Sequence, residues 1–478
     1  MALPSLASPP PPARTEPVAL HGPAPATPLP LRALRGALAR VKAILGDRTD
    51  SRLAQMVAGK VFLVRVGSAL FALISQVLLA RWMGRTEFGI FIYAWTWVLM
   101  IGPLTDAGLS SGARRFIPEY VEFKAFDKLR GFLSGSRWFA FGVASAVGLA
   151  GIGLVTLISP WMSTFVVVPL YLTCFAIPAC GLAAVQTGIA QSYDWPNLAF
   201  VPFYIVRQVG ITVLVGAAYV IGAPTDAVMA MIVALIATWA VTGGQTLVLN
   251  RRLKRKIEAG PKRYEIKTWL ATSLPIFVAE SFYLLLTYVD ILALEHFGTP
   301  GDVGVYYAAV RLLALVAFVY FAISSATTHK FTEYHVTGDT TRLASFFAET
   351  IRWTFWPSLA VCAVMLLLGR PLLALFGEGF ESGYPVMFIL AAGMMARAAV
   401  GPAERLLNML GQRKQCAMIY AAAFAINLSL CVILIPRLGI EGAATATSTA
   451  FFAESIMLYL VAKRRLGFHV FIMGGASK

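Results

Sequence analysis

Residues 84–94 read Gly-Arg-Thr-Glu-Phe-Gly-Ile-Phe-Ile-Tyr-Ala, and residues 298–308 read Gly-Thr-Pro-Gly-Asp-Val-Gly-Val-Tyr-Tyr-Ala. With one residue inserted, the second stretch repeats the first. Each ends one long apolar run and opens the next. Weaker echoes lie at a similar spacing: Gly181-Leu-Ala with Gly401-Pro-Ala, and the turn around Gly222 with the turn around Gly439. All these offsets fall near 215–220 residues, so the chain reads as an internal duplication.

Working outward from the repeat, apolar runs fall near 57–82, 88–109, 138–159, 165–190, 199–221, 227–249, 269–294, 304–328, 351–369, 383–410, 416–436 and 440–462. Each is about as long as a helix needs to cross the hydrocarbon core. Six runs per half is an even number, so both halves enter the membrane from the same side. Parallel repeats of this kind are a transporter architecture with a site between the halves. Composition agrees: 58% of the 478 residues are hydrophobic and only 13% charged. Soluble chains are about a quarter charged, so lipid must cover most of this surface. The sequence therefore predicts an all-α polytopic membrane protein of about twelve transmembrane helices in two six-helix lobes.

The net charge of +16 records topology rather than a nucleic-acid partner. With the N-terminus cytoplasmic, 30 of the 40 Lys and Arg fall in cytoplasmic segments, and only Arg81, Arg85, Arg370 and Arg437 lie in external loops or their margins. That is the positive-inside pattern, with both termini cytoplasmic. The run Arg251–Lys256 is then a stop signal beside anionic membrane lipids.

Residues 1–30 read as a disordered, Pro/Ala-rich cytoplasmic tail. In 31–56, Leu31, Leu34, Leu38, Val41 and Leu45 alternate with Arg32, Arg35, Arg40 and Lys42, the pattern of a basic amphipathic surface segment. A plain solvated linker fits these residues too. An N-terminal six-helix lobe over 57–249, a basic cytoplasmic linker over 250–268, a C-terminal lobe over 269–465 and a cytoplasmic tail over 466–478 complete the expected organisation. No loop between spans is long enough for a catalytic domain of about 50 residues or more. The five cysteines all lie within apolar runs, and the five histidines form no metal-binding pattern, so no metal or cofactor is expected.

A charge at the bilayer centre costs about 2.5–3.5 kcal/mol on insertion scales, so it faces the bundle interior or water. Glu280, Tyr283, Thr287 and Asp290 share one face of the seventh span. Arg397, Gly401, Glu404 and Asn408 share one face of the tenth, and Arg65, Ser68, Ala72 and Gln76 one face of the first. Arg207 lies mid-span on the fifth, and Arg311 about 10 Å inside the outer end of the eighth. The balance of Arg65, Arg207, Arg311 and Arg397 is cationic and suits an anionic substrate, because a guanidinium matches phosphate oxygens with a planar fork. Glu280 and Asp290 are candidates for coupling to a proton or sodium gradient, Glu280 the better one for its mid-span position. Glu404 and Arg405 lie where a cytoplasmic-side gate would form. Blander readings stand beside these: an Asp290–Arg311 ion pair, a Glu280 pair with Arg207 or Arg397, and Arg405 and Lys60 snorkelling to the interface.

Several stretches carry a resemblance. Gly108-Leu-Ser-Ser-Gly-Ala-Arg-Arg-Phe-Ile-Pro-Glu-Tyr120 resembles the segment after the second helix of bacterial polysaccharide-biosynthesis flippases (Wzx-type). Gly89–Ala94, Gly304–Leu312, Leu407–Gly411 and Ile435–Ala444 are similar to that family in the same order. The resemblance implies a V-shaped pair of lobes like that of MATE transporters, within the superfamily of drug and oligosaccharidyl-lipid exporters. It also implies flipping of an undecaprenyl-pyrophosphate-linked oligosaccharide by alternating access around a cationic central cavity in a bacterial inner membrane, with a glycan polymerase as a further partner. Tyr306-Tyr307…Arg311 is similar to a pattern in lipid II flippases whose arginine serves such a cavity, although Ala-Ala-Val separates Tyr307 from Arg311 here. Two alternatives compete: a multidrug or cation antiporter of the same superfamily, which requires a net acidic cavity, and a membrane glycan polymerase, which requires a large external loop or a domain with paired carboxylates.

This topology is directly testable. Reporter fusions at residues 260 and 475 are expected to read cytoplasmic, and fusions at 300 and 378 external; an external signal at 260 contradicts the twelve-helix arrangement.

Overall fold

The computed structural model describes residues 51–336, 340–466 and 471–472. The expected tail 1–30, residues 31–50 of the amphipathic segment and nearly all of the C-terminal tail lie outside the described residues. So do the side chains of 51–66, including Lys60 and Arg65. The chain divides into two compact units, residues 1–59 and 60–478. Of the first, the described residues 51–59 are helical. The second contains everything that follows.

Every regular element among the described residues is helical. Hydrocarbon offers the backbone no hydrogen-bond partner, and a helix satisfies each N–H and C=O within its own segment. In chain order the helices are α1 (Ser51–Leu104), α2 (Leu109–Glu122), α3 (Phe126–Ile158), α4 (Thr164–Ser192), α5 (Pro196–Val201), α6 (Arg207–Val220), α7 (Ala227–Lys256) and α8 (Ile266–Phe297). Then come α9 (Pro300–Leu313), α10 (Ala317–Val336), α11 (Thr340–Leu367), α12 (Gly369–Ala374), α13 (Tyr384–Val400), α14 (Ala403–Met409) and α15 (Arg413–Leu466).

Ten helical stretches among the described residues are long and apolar enough to cross a membrane. Two of them, Gly67–Glu122 and Arg413–Arg464, are double length. At 1.5 Å per residue, a straight helix of 54 residues like α1 or α15 runs about 80 Å, against about 30 Å of hydrocarbon. Each breaks at a glycine: Gly84 in α1 (φ 77°) and Gly439 in α15 (φ 57°). Residues with a Cβ avoid that left-handed region. Each therefore supplies two crossings, and the twelve expected spans are accounted for.

The tenth span differs from expectation. The run 383–410 is not one helix: α13 stops at Val400, Gly401 takes φ 58°, and α14 starts afresh after Pro402. Proline lacks the N–H that would continue the ladder and disfavours helical backbone in the residue before it. Glu404 and Arg405 thus sit on a separate short helix. The fifth span carries a π-helical turn over Pro202–Val206, directly before Arg207.

The basic linker is shorter than expected, because α7 runs on through Lys256. Residues 257–265 lie strapped along the start of α3. Arg130 donates to the carbonyls of Pro261 (2.9 Å) and Glu258 (3.1 Å), and the Arg263 amide donates to the Asp127 carbonyl (2.9 Å). Trp269, in the first turn of α8, is buried against Phe132 and donates to the Tyr120 hydroxyl at 3.0 Å. The start of α8 is thereby fixed to the first half of the chain, while much of its length packs along α15.

At the opposite end of the bundle the two copies of the repeat meet. A Cβ on Gly89 would run into the Pro300 carbonyl, and a Cβ on Gly304 would lie 2.6 Å from the Arg85 carbonyl. The second crossing of α1 and helix α9 therefore touch backbone to backbone. Phe88, packed edge-on to both Tyr307 and Phe380, fills the space beside the contact. This end, expected to be external, is sealed.

Overpacking the seal tests its role. Gly304→Leu is expected to push the two halves apart there, because overpacking costs about 1–3 kcal/mol and a bias of that size shifts a two-state balance roughly five- to 150-fold. Spin labels at the exposed positions Thr86 and Glu378 should show a longer distance in Gly304→Leu at normal protein yield. An unchanged distance distribution would show that the contact does not hold this end shut.

A charged cavity beneath the seal

A cavity of about 1130 Å³ opens among α2, α8, α10, α13, α14 and α15. Two of the expected polar stripes form its walls. Glu280, Tyr283, Thr287 and Asp290 line it from α8, and Arg397, Gly401, Glu404 and Asn408 line it across the α13–α14 break. The ten residues from Glu280 to Asp290 span about 15 Å of helix, so the cavity runs through a large part of the membrane's depth. It ends among Arg114, Arg115, Asn408 and Arg413, at the helix ends expected to be cytoplasmic.

The lining is not cationic overall, and here the sequence expectation is corrected. Its basic residues are Arg114, Arg115, Arg397, Arg405 and Arg413; its acidic residues are Asp106, Glu280, Asp290, Glu404 and Glu454. The acids are largely occupied. Asp106 caps the start of α2, accepting from the amides of Gly108 (2.7 Å) and Ser110 (3.1 Å). Asp290 is buried and accepts from the Tyr306 hydroxyl (2.6 Å), Thr447 (3.0 Å) and the Ile291 amide (2.8 Å). Glu280 accepts from Ser111 at 2.9 and 3.1 Å, with Arg114 at 3.9 Å, and so ties α8 to α2. Glu404 accepts from Asn408 at 3.2 Å. Among the described residues no carboxylate lies within ion-pair distance of Arg405 or Arg413.

Arg397 has a partner that the sequence reading missed. Its Nη2 lies 3.2 Å from Glu454 Oε1, and its guanidinium packs over the rings of Phe451 (4.7 Å) and Tyr283 (5.9 Å). Glu454 is 1% exposed, whereas about a third of the Arg397 side chain stays open. Glu454 is an acid in the middle of the last apolar run, which is itself a signal of buried chemistry; nothing near it in sequence points to Arg397.

The four arginines expected to share one cavity do not. Arg397 lines the large cavity. Arg311 lines a separate space of about 120 Å³ with Gln76 and Ala72 of the first span. There its Nε donates to the Tyr307 hydroxyl (2.8 Å), which Gln76 also reaches (3.0 Å). Arg207 lies beneath Trp95 and Phe203, each ring centroid 5.1 Å away. The Arg65 side chain is outside the described residues. The suspected Asp290–Arg311 pair is absent, since each has hydroxyl partners instead, and Glu280 pairs with neither Arg207 nor Arg397. Arg405 lines the cavity rather than snorkelling away from it.

Residues 58–329 match the polysaccharide biosynthesis protein family. A stretch of 172 residues is 24% identical to the "Probable low-salt glycan biosynthesis flippase Agl15" of Haloferax volcanii, covering 36% of this chain and 36% of that relative's length. Among solved structures, an inward-facing multidrug resistance transporter of the MATE family and MOP superfamily superposes with a TM-score of 0.70 at 14% identity. That match covers 85% of this chain and 98% of the other. The lipid II flippase MurJ in an inward closed conformation superposes with a TM-score of 0.65 at 16% identity, covering 84% and 87%. At these identities the likenesses show a shared fold.

Proposed function

The chain belongs to the polysaccharide biosynthesis protein family and is a multi-pass membrane protein; from that premise we propose that it is a transporter rather than an enzyme and flips an undecaprenyl-pyrophosphate-linked oligosaccharide to the outer leaflet of a bacterial inner membrane. The observation that carries this reading is the large cavity. It is narrowed toward the expected external end by the Gly89–Gly304 contact and bears at its other end Arg405 and Arg413, which have no acid partner among the described residues. A diphosphate headgroup entering from the cytoplasm meets these guanidiniums first and then Arg397. Each offers charge-assisted hydrogen bonds to phosphate oxygens. The polar wall of Tyr283, Thr287 and Asn408 can take sugar hydroxyls.

Release outside requires the seal to part and the cytoplasmic end to close. Helix α8 is suited to link the two events: it is pinned to α2 and α3 at Trp269, joined to α2 again through Glu280, and packed along α15 over much of its length. Resetting of the empty carrier requires a bias. Asp290 is the better placed of the two expected coupling carboxylates, because it is buried among α8, α9 and the second crossing of α15 and meets hydroxyls rather than a cation. A proton or a sodium ion taken up there would neutralise it. Engagement of the cavity's acids disfavours the organic-cation antiporter, since few carboxylates remain to attract a cation.

Depletion of the protein is expected to accumulate lipid-linked oligosaccharide in the cytoplasmic leaflet. Arg405→Ala at normal levels, and Arg397→Ala at lower levels because Glu454 loses its cation, should each export roughly ten- to a hundredfold less glycan per inserted molecule, the equivalent of one charge-assisted hydrogen bond of about 1.5–3 kcal/mol. Full export by both variants at low expression contradicts this use of the cavity.

A further inference from the structure

Arg397 cannot serve a phosphate and Glu454 equally, and the pair's geometry decides what gives way. A guanidinium stays protonated throughout the biological range, so any change of charge must fall on the carboxyl. Glu454 holds Arg397 by a single contact, Oε1 to Nη2 at 3.2 Å. Its other oxygen, Oε2, is buried and has no hydrogen-bond partner among the described residues. A half-satisfied carboxylate in a low-dielectric wall is held ionised mainly by its one cation. The remaining face of Arg397 opens on the cavity.

The other charged or titratable groups around the pair are Glu404 on α14, Tyr420 on the first crossing of α15, Tyr283 on α8 and Tyr320 on α10. None supplies Glu454 with a second cation. Glu404 adds a like charge and is itself engaged by Asn408. A phosphate docking on the open side of Arg397 therefore places a second anion across one guanidinium from Glu454, with Glu404 nearby as a third.

We infer that Glu454 takes up a proton when the diphosphate binds Arg397, so that loading of the substrate is linked to protonation within the binding site itself. This rests on the proposed function and adds a positioning residue to it. With Glu454 ionised, Arg397 is held back against the wall and the site is neutral. With a proton from the cavity's solvent on its carboxyl, Glu454 is neutral and Arg397 presents its full charge to the phosphate. No heavy-atom bond changes, and the proton returns to solvent when the anion leaves. Glu454 is distinct from Asp290, which lies nearer the seal and holds no arginine.

The test uses the purified full-length protein in nanodiscs and farnesyl-diphospho-N-acetylglucosamine as probe. Both phosphates of that probe are esterified, so its charge is constant with pH. Wild-type affinity is expected to rise about tenfold per unit fall in pH over the titration of Glu454, with about one proton taken up per probe bound in weakly buffered solution. Glu454→Gln should bind at high pH as tightly as wild type does at low pH, with a flat profile. Should Glu454→Gln fold poorly, proton uptake by the wild type still decides the matter. Binding without proton uptake, or a Glu454→Gln variant that keeps the wild-type pH slope, overturns the inference while leaving the proposed function standing. Absence of binding at every pH contradicts both.

Discussion

The backbone contact between Gly89 and Gly304 sets the state of the molecule. Each copy of the repeat brings one glycine to the same place, and the absence of two Cβ atoms lets α1 and α9 meet backbone to backbone. A membrane transporter with one end closed must keep its solvent-accessible space at the other. The position of the large cavity, the depth to which charged side chains can enter the membrane, and the side from which a ligand arrives all follow from that crossing.

Burial of charge is the second constraint. In hydrocarbon an isolated ion is costly, yet this bundle holds several arginines and carboxylates. It handles them in three ways. Arg397 and Glu454 neutralise one another. Arg207 and Arg311 rest on aromatic rings and phenolic oxygen, which stabilise a cation without an opposing charge. Asp290 gathers two hydroxyls and a backbone amide. Groups compensated by neutral partners keep their net charge and can respond to an incoming ion; a closed ion pair must first be opened.

Much of this was legible in the sequence because helical periodicity is local. The stripes Glu280–Asp290 and Arg397–Asn408 each come from one span or two adjoining helices, and 3.6-residue spacing placed them on the cavity wall. The duplicated stretch showed the internal repeat, but nothing in it told that its two copies touch. Pairings between spans were not legible. Glu454 reaches Arg397 across 57 positions of chain, Tyr306 reaches Asp290 by side-chain length, and Glu280 finds Ser111 of the other half; register and rotation between helices set each of these. Four arginines at different depths within spans looked like one cationic cavity because sequence gives depth but not azimuth. The break at Gly401-Pro402 was written in the sequence, but the apolar character of the flanking residues masked it.

The most direct measurement is flipping itself. Proteoliposomes holding only this protein, loaded with a fluorescent undecaprenyl-diphosphate oligosaccharide, report leaflet exchange through quenching by a membrane-impermeant reductant. The account predicts exchange that depends on the protein and on the diphosphate link, and that a competing lipid-linked diphosphate sugar suppresses. Equal exchange of a neutral glycolipid, or no exchange beside robust transport of an organic cation, would contradict it.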